Sequence, residues 1–457
     1  MAYELTKDDL DCEAEWNPAP VRAAGNPNPA VLEALMNYYR KGLSRWNEMS
    51  ADERKLWEQY SPNNVICGAI WGDYESPLTA ALKVKSTQNV NILLDAGADI
   101  NGISAEDLSD YSARFLRGRD ASIDISSFGF VPFRAELLAT AKARSRERRP
   151  GFPRFWTEPN VPGQRLRMAT ALTSLEVAAK FGCEEIFEIL YKAGAEDSSC
   201  EAPLSALLVS SPMHQAIASG HRLMFDKILN TYNYYPDYRP LVTPTVALPP
   251  LFFAIARCDL AKPGVRECIS DLFAHPRLSP HLRTPILEVH PLHFATARHD
   301  PEFLSWTADL IPGGHATAGR IALGHTLLHV AALPLTGNQS LKPSPLHLEY
   351  PKHSRPPYIN EEKPYKHVPM TEAEQVAQLA TIALLLTWGV LDFQAQDIDG
   401  NTALHYLAAT LNVGDETVEL VREMEGGEDV WENATNRWGF TPKQLEEEEM
   451  VDNCKDA

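Results

Sequence analysis

Apolar residues in this chain are grouped in short blocks of helical length that are separated by polar turns. Many blocks open with a serine or threonine, and several then have a proline, which is the arrangement expected at the start of a helix. The longest uninterrupted apolar run, residues 380–391, is much shorter than the roughly 20 residues of a membrane-spanning helix. We therefore interpret this run as a buried helix.

One block recurs along the chain. Its clearest copy, GHTLLHVAA at residues 324–332, aligns with GNTALHYLA at 400–408, and five shorter matches lie upstream. A chain that repeats one block in this way predicts a repeat architecture, in which each unit packs against its neighbours. The anchoring leucine or methionine of the copies falls at Leu78, Leu175, Met213, Leu251, Leu292, Leu328 and Leu404.

A second predicted helix follows the first in several copies, and these second helices end alike. Segments 91–101, 188–196 and 385–392 each run from apolar residues into a glycine. Helices commonly end on a residue with positive φ, a conformation that glycine adopts without strain. The glycines that we expect to fill this role are Gly97, Gly194 and Gly389.

Together these features resemble the T-P-L-H-x-A signature and the L-L-x-x-G-A-D-x-N helix end of the ankyrin repeat, over roughly residues 70–445. The resemblance implies an all-α solenoid of helix-turn-helix units with hairpin loops. It also implies that the fourth signature position, commonly histidine, makes hydrogen bonds within and between repeats. Long repeats and a proline-rich insert make this array similar to ankyrin-repeat proteins of filamentous fungi. The signature residues at the fourth position are Thr79, His214, His293, His329 and His405.

The alignment predicts three regions. Residues 1–69 are interpreted as an N-terminal helical cap or a degenerate repeat. The repeat array spans 70–445 and contains a basic insert at 102–168 and a proline-rich insert at 334–370. Residues 446–457 form an acidic tail, consistent with the polar outer end that a repeat array requires.

Two helices are predicted before the first clear copy, at residues 29–39 and 50–57. The second opens with Ser50 and Glu53, which have the spacing of a capping box.

The net charge of −19 is unevenly distributed. Between residues 113 and 167 twelve Lys and Arg oppose five Asp and Glu, so this stretch carries +7 and the remainder, −19 less 7, carries −26. Its densest part is typical of a nuclear import signal or a surface for an acidic partner, although a solvated helix face is an alternative. Direct nucleic-acid binding is disfavoured because no recognised DNA-binding module is present. The cluster consists of Lys142, Arg144, Arg146, Arg148 and Arg149.

The seven cysteines are scattered and include no C-x-x-C pair, which disfavours zinc modules and disulfide scaffolds and favours a reducing compartment. The first residues are acidic and have no apolar core of a signal peptide. We therefore expect a location in the nucleus or cytoplasm rather than secretion.

His325 and His329 have the four-residue spacing of two zinc ligands on a helix, but the glutamate that would act as general base is missing. We expect His329 to serve the repeat and His325 to lie in a turn, where its removal should do little. Asp392, Asp397 and Asp399 are not in register with an EF-hand loop. No nucleophile elbow, phosphate-binding loop or kinase motif is found, so we predict no metal, no cofactor and no enzymatic activity.

The resemblance implies a non-catalytic scaffold that binds other proteins through hairpin tips and the concave groove of the first helices. With the basic cluster, it favours a regulatory adaptor of the transcription-coregulator type, whose partner would be a transcription factor. The alternative is a cytoplasmic adaptor or a substrate-presenting subunit of an enzyme complex. We expect no membrane association.

Overall fold

The computed structural model describes residues 18–67, 74–103, 172–195, 211–237, 249–279, 283, 288–322, 324–333, 371–390, 392–398, 400–408, 413–436 and 439–446. The contacts within the chain divide it into two compact units. Unit 1 comprises Met1–Ile123, Gly163–Thr243 and Asp259–Asp271, and unit 2 comprises Asp124–Pro162, Pro244–Cys258 and Leu272–Ala457.

The described part of unit 1 is built from pairs of helices. In chain order the helices are α1 (Ala19–Ala24), α2 (Pro29–Leu43), α3 (Ala51–Glu58), α4 (Pro77–Lys83), α5 (Thr87–Asp95), α6 (Ser174–Phe181), α7 (Glu184–Lys192), α8 (Pro212–Ser219) and α9 (Arg222–Asp226). A short 3-10 turn, Trp46–Glu48, precedes α3, and α9 continues as a π-helix at Lys227–Thr231. The first helices α1, α4, α6 and α8 pack in chain order, as do the second helices α2, α5 and α7.

Unit 2 follows the same plan. Its helices are α10 (Pro250–Arg257), α12 (Pro291–Thr296), α13 (Pro301–Leu310), α14 (Leu327–Ala332), α15 (Glu372–Thr387), α16 (Ala403–Ala408), α17 (Asp415–Arg422) and α18 (Gly427–Asn433), while α11 (Val265–Ala274) contributes residues to both units. The first helices α10, α12, α14 and α16 pack in order, and so do the second helices α13, α15 and α17. A 3-10 turn lies at Gly314–Thr317, and residues 442–446 are helical.

Side-chain caps determine where many of these helices begin. In a capping box, a Ser or Thr side chain accepts a hydrogen bond from the backbone three residues on, and the side chain of that residue binds the cap's own N–H. The predicted Ser50–Glu53 box is present at the start of α3. Further boxes open α4, α6, α14 and α15, with the residue pairs Ser76–Thr79, Thr173–Glu176, Thr326–His329 and Thr371–Glu374.

The predicted all-α architecture of paired ankyrin-type helices is confirmed for the described residues, with two additions. Helix α1 was not predicted, yet it forms the first helix of a pair with α2 and packs on α4. A two-residue antiparallel ladder joins β1 (Ile66–Cys67) and β2 (Tyr74–Glu75). The anchor residues of all seven copies are buried, from Leu78 to Leu404.

None of the helices within the described ranges is both long and apolar enough to span a membrane.

Candidate functional site

Two of the histidines at the fourth signature position of unit 2 form hydrogen bonds with backbone groups. The His329 ring lies at the start of α14, where its Nδ1 accepts hydrogen bonds from the Thr326 N–H and hydroxyl at 3.2 and 2.8 Å. Its Nε2 then donates to the carbonyl of Asn401 in the next inter-repeat loop, at 3.1 Å. Because both ring nitrogens are occupied, His329 joins its helix to the following repeat and has no lone pair left for a metal.

His405 repeats this arrangement one copy later. Its Nδ1 accepts from Thr402, at 3.0 Å from the N–H and 2.8 Å from the hydroxyl, and its Nε2 donates to the carbonyl of Phe440 at 3.0 Å. His293 occupies the same position on α12 and is completely buried. We call His293, His329 and His405 the histidine series.

Burial holds all three imidazoles in the neutral form, because the apolar interior disfavours a charged ring. It lowers the pKa of His329 to about 4, with a further contribution from the nearby His325, and it lowers the pKa of His405 to about 4. Burial, followed by the charges of His290 and Arg283, places the pKa of His293 well below its ordinary value. A neutral ring can accept at Nδ1 and donate at Nε2, which is the pattern that His329 and His405 need.

The expectation that His325 can be removed with little effect is wrong. His325 lies in the turn before α14 but is fully buried, and its ring stacks on that of His329 with centroids 5.7 Å apart and planes 6° apart. Its Nε2 is 3.2 Å from the Tyr406 hydroxyl and 3.6 Å from Oδ2 of Asp397. His325 is therefore part of a buried polar cluster instead of a solvated turn.

Asp397 is the anion of this cluster. The Tyr406 hydroxyl donates to its Oδ2 at 2.5 Å, and its Oδ1 accepts from the backbone of Asn401 at 2.9 Å. Burial alone raises the pKa of Asp397, but hydrogen bonds from His325 and Tyr406 outweigh it and hold the pKa below its ordinary value. The carboxylate is thus kept charged in the interior, where it orients the loop before α16.

A second set of hydrogen bonds links the loops on their outer side. These inter-repeat loops connect a second helix with the next first helix and span residues 275–290, 311–326, 388–402 and 434–441. The Arg283 guanidinium donates to the carbonyls of Glu288 at 2.8 Å and Ala318 at 2.6 Å. Arg320 then pairs with Asp392 at 2.9 Å, and the Gln396 amide donates to the carbonyl of Thr435 at 3.2 Å. Each of the four loops is therefore tied to the next.

The first helices of unit 2 do not provide the binding groove that the resemblance implies. Every residue of α12, α14 and α16 is buried, including the bulky residues that follow the fourth signature position. Exposed side chains occur on the inter-repeat loops and on the second helices instead. The buried bulky residues that follow the fourth signature position include Phe294, Val330 and Tyr406.

In unit 1 the fourth signature position is more varied. Thr79 completes the capping box of α4, since its hydroxyl accepts from the Ser76 N–H at 2.8 Å. His214 binds the Ser211 hydroxyl through Nδ1 at 2.7 Å. Buried Glu176 fills the position in α6. Thr79 and Glu176 cap their own helices and His214 bonds the hydroxyl of its N-cap residue, so all three make the local contact that does not depend on the next repeat.

The glycines expected at the ends of second helices all have positive φ. The values are 87° at Gly97, 90° at Gly194 and 76° at Gly389, and a Cβ added at any of the three would meet no atom within 4 Å. Their glycine character therefore serves backbone conformation rather than close packing.

The basic cluster from Lys142 to Arg149, the proline-rich insert at 334–370 and Asp399 lie outside the described residues. Where the structure does describe the chain, no group of three or more His, Cys, Asp or Glu side chains is placed to hold a metal ion.

No family model matches the chain, and no curated protein sequence matches it. Among solved structures, it is similar to the ankyrin repeat domain of human ASB11, with 17% identity, a TM-score of 0.37 and coverage of 68% of this chain and 90% of that one. It is also similar to the ankyrin repeat domain of Bcl-3, described as a unique member of the IkappaB protein family, with 17% identity, a TM-score of 0.36 and coverage of 59% and 92%.

Proposed function

We propose that this chain is a non-catalytic interaction scaffold that binds other proteins through the exposed inter-repeat loops of unit 2. The observation that carries the proposal is the chain of hydrogen bonds from Arg283 through Arg320 to Gln396, which fixes four successive loops. Loops held in place before binding lose little conformational freedom when a partner docks, so more of the contact energy appears as affinity.

The burial of the first helices is further support for binding through the loops. Because α12, α14 and α16 offer no exposed side chain, a partner of unit 2 meets the loops or the second helices. Exposed residues on the loops include Ala316, Gln394 and Thr435, and none of these side chains makes a hydrogen bond that holds the loops together.

These three loop residues allow a direct test. A variant with Ala316→Arg, Gln394→Arg and Thr435→Arg places three bulky charges on the loops without removing any side chain or backbone carbonyl that links them. A matched control carries Asp309→Arg, Glu372→Arg and Val376→Arg at exposed positions on α13 and α15. Affinity purification followed by mass spectrometry should lose the specific partners in the loop variant and keep them in the control. Equal recovery by both variants contradicts binding through the loops.

Within this class we propose a regulatory adaptor of the transcription-coregulator type that enters the nucleus. The support is the basic cluster Lys142 to Arg149 on a chain whose remaining residues are strongly acidic. Clusters of this composition are recognised by import machinery or by acidic partners.

The nuclear proposal has its own test. Arg144, Arg146, Arg148 and Arg149 are changed together to alanine in a fluorescently tagged chain, and the ratio of nuclear to cytoplasmic fluorescence is measured. The ratio should fall in the variant, and transcription factors should be among the partners of the wild-type chain. An unchanged distribution contradicts import through this cluster, while ligase subunits or metabolic enzymes as the sole partners contradict coregulation.

A further inference from the structure

Helix α2 exposes an unusual amount of apolar surface. Seven large hydrophobic side chains are exposed among the described residues, and three of them lie on this one helix: Val31 at 56%, Tyr38 at 48% and Leu43 at 44%. The helix also has an inward face, where Leu32 and Met36 are completely buried. An amphipathic surface helix needs only one such apolar face, so the second one calls for an explanation.

Two of these exposed residues, Val31 and Tyr38, lie in one stripe with the half-buried Leu35. Val31, Leu35 and Tyr38 are spaced i, i+4 and i+7, which places them on one side of a helix. Gly42 follows at i+11, and the Trp57 indole of α3 lies directly over it, since a Cβ on Gly42 would sit 1.5 Å from the indole nitrogen. Trp57 also stacks on Tyr38, with ring centroids 4.3 Å apart. The stripe therefore ends at the packed aromatic rings of Tyr38 and Trp57.

The C-terminal end of this helix is basic. Lys41 and Arg45 are exposed on the side of the stripe, three and seven residues after Tyr38, whereas Arg40, two residues after Tyr38, lies on the opposite side of the helix. Cations at a helix C-terminus are favoured by the helix dipole, which explains part of this charge. Placed next to an apolar stripe, Lys41 and Arg45 select an occupant that combines apolar and acidic residues.

Residues 1–17 of the chain have that composition. The segment MAYELTKDDLDCEAEWN contains six acidic residues and one lysine, together with Tyr3, Leu5, Leu10 and Trp16. It enters the described structure at Pro18, the residue that precedes α1, and α1 packs against α2. Because a short turn joins these two helices, they run antiparallel, and the entry point lies beside the middle of α2.

We propose that residues 1–17 dock on the outer stripe of α2, with their apolar side chains on Val31, Leu35 and Tyr38 and their acidic side chains beside Lys41 and Arg45. Seventeen residues reach about 56 Å when extended, well beyond the roughly 22 Å length of a 15-residue helix, so the geometry sets no obstacle. The docked segment covers part of the outer side of the first helix pair.

Hydrogen exchange of the full-length chain, followed by mass spectrometry of the peptide from residues 1–17, tests this assignment. Backbone amides in the docked segment should exchange roughly ten-fold or more slowly than in a free peptide. In a variant with Val31→Asp and Tyr38→Asp, the protection should be lost. A matched control with Leu223→Asp and Val376→Asp replaces two other exposed apolar residues, at 73% and 65% exposure, and should retain it.

A charge variant makes the test independent of the apolar substitutions. Lys41→Glu and Arg45→Glu together should also abolish the protection, while thermal unfolding shows that both variants remain folded. Free-peptide exchange rates in the wild-type chain, or protection that survives both variants, overturn the proposal. Protection that falls on dilution also overturns it, because it would identify a second copy of the chain as the occupant.

Discussion

At the scale of single residues, the fourth signature position decides how one repeat is joined to the next. His329 has its Nδ1 bonded inside its own helix and its Nε2 bonded to the carbonyl of Asn401. The resemblance to the ankyrin signature implied this dual role. It could not predict the burial of His325, because that depends on Asp397 and Tyr406, which are far from it along the chain.

The His329→Ala variant should be destabilised by about 2–4 kcal/mol, since it loses hydrogen bonds at both ring nitrogens and leaves a cavity. Urea unfolding at pH 7 measures the change. The exposed Gln394 serves as control, and its replacement by alanine should shift stability by about 0.5 kcal/mol or less. Equal effects of the two substitutions would show that the inter-repeat hydrogen bond contributes nothing.

Tyr406→Phe removes only the hydroxyl that donates to Asp397, and we expect a loss of about 1–3 kcal/mol because a buried carboxylate loses a donor. His325→Ala should cost a similar amount, since it removes the other side chain of the cluster. The double variant should lose less than the sum of the two single losses, because the residues share one network. Strict additivity in urea titrations would contradict a coupled cluster.

At the scale of helices and loops, caps and glycines were readable from the sequence, whereas close approaches were not. Gly97 and Gly220 both have positive φ, at 87° and 69°. Open space surrounds Gly97, but a Cβ at Gly220 would lie 2.1 Å from the carbonyl oxygen of Pro263. The sequence near residue 220 does not predict this contact, because the backbone that packs there belongs to the loop at Pro263, more than forty residues away.

These two glycines provide a matched pair of substitutions. Gly97→Ala should cost about 1 kcal/mol, the conformational penalty of a side chain in the left-handed region. Gly220→Ala should cost about 1–3 kcal/mol more, because the Pro263 loop must also move. Thermal unfolding of the two variants measures the difference. An equal effect would mean that the contact at Gly220 relaxes freely.

Other elements escaped the sequence because they are short. Helix α1 has only six residues, and the β1–β2 ladder has two residues on each strand, so neither shows a period. The links formed by Arg283 and Arg320 were also missed, because a single arginine in a loop carries no pattern. Asp397 and Tyr406 flank the GNT segment at 400–402 only a few residues apart, but nothing in that spacing indicates a contact with His325.

At the scale of the whole molecule, the regular part of the chain was predicted well because every copy repeats the same local chemistry. The division into two compact units was not foreseen, and it runs through the predicted repeat array. The burial of every residue in α12, α14 and α16 was not predicted either. The burial of entire first helices depends on the packing of many segments, and it cannot be recognised in the sequence of any single segment.

The histidine series makes the stability of unit 2 dependent on pH. The folded-state pKa values of His329 and His405 are about 4, below the ordinary 6.5, so the unfolded chain binds protons first as the pH falls. The contribution of these two histidines to the free energy of unfolding is therefore fully present above about pH 6.5. It is lost as the pH falls from 6.5 to 4, and it changes little below that range. Each of the two histidines accounts for a loss of roughly 3 kcal/mol in the free energy of unfolding once the pH is below both pKa values.

Urea midpoints of unit 2 at several pH values between 7 and 4 should show this decline, and His405→Gln should make it less steep. The exposed, non-titrating position Gln394→Ala should leave the slope as it is. Asp397 acts in a lower range, because its folded-state pKa lies below its ordinary value and its contribution is lost only as the pH falls further. A midpoint that stays constant from pH 7 to 4.5 would contradict the burial of neutral imidazoles.

The hydrogen bonds from His329 and His405 to the next loop have a consequence for substitutions in that loop. Each ring binds a backbone carbonyl, at Asn401 or Phe440, and not a side chain. Since every residue has a carbonyl, the junction places no demand on which amino acid follows. A junction of this kind therefore survives replacement of the residue that supplies the carbonyl.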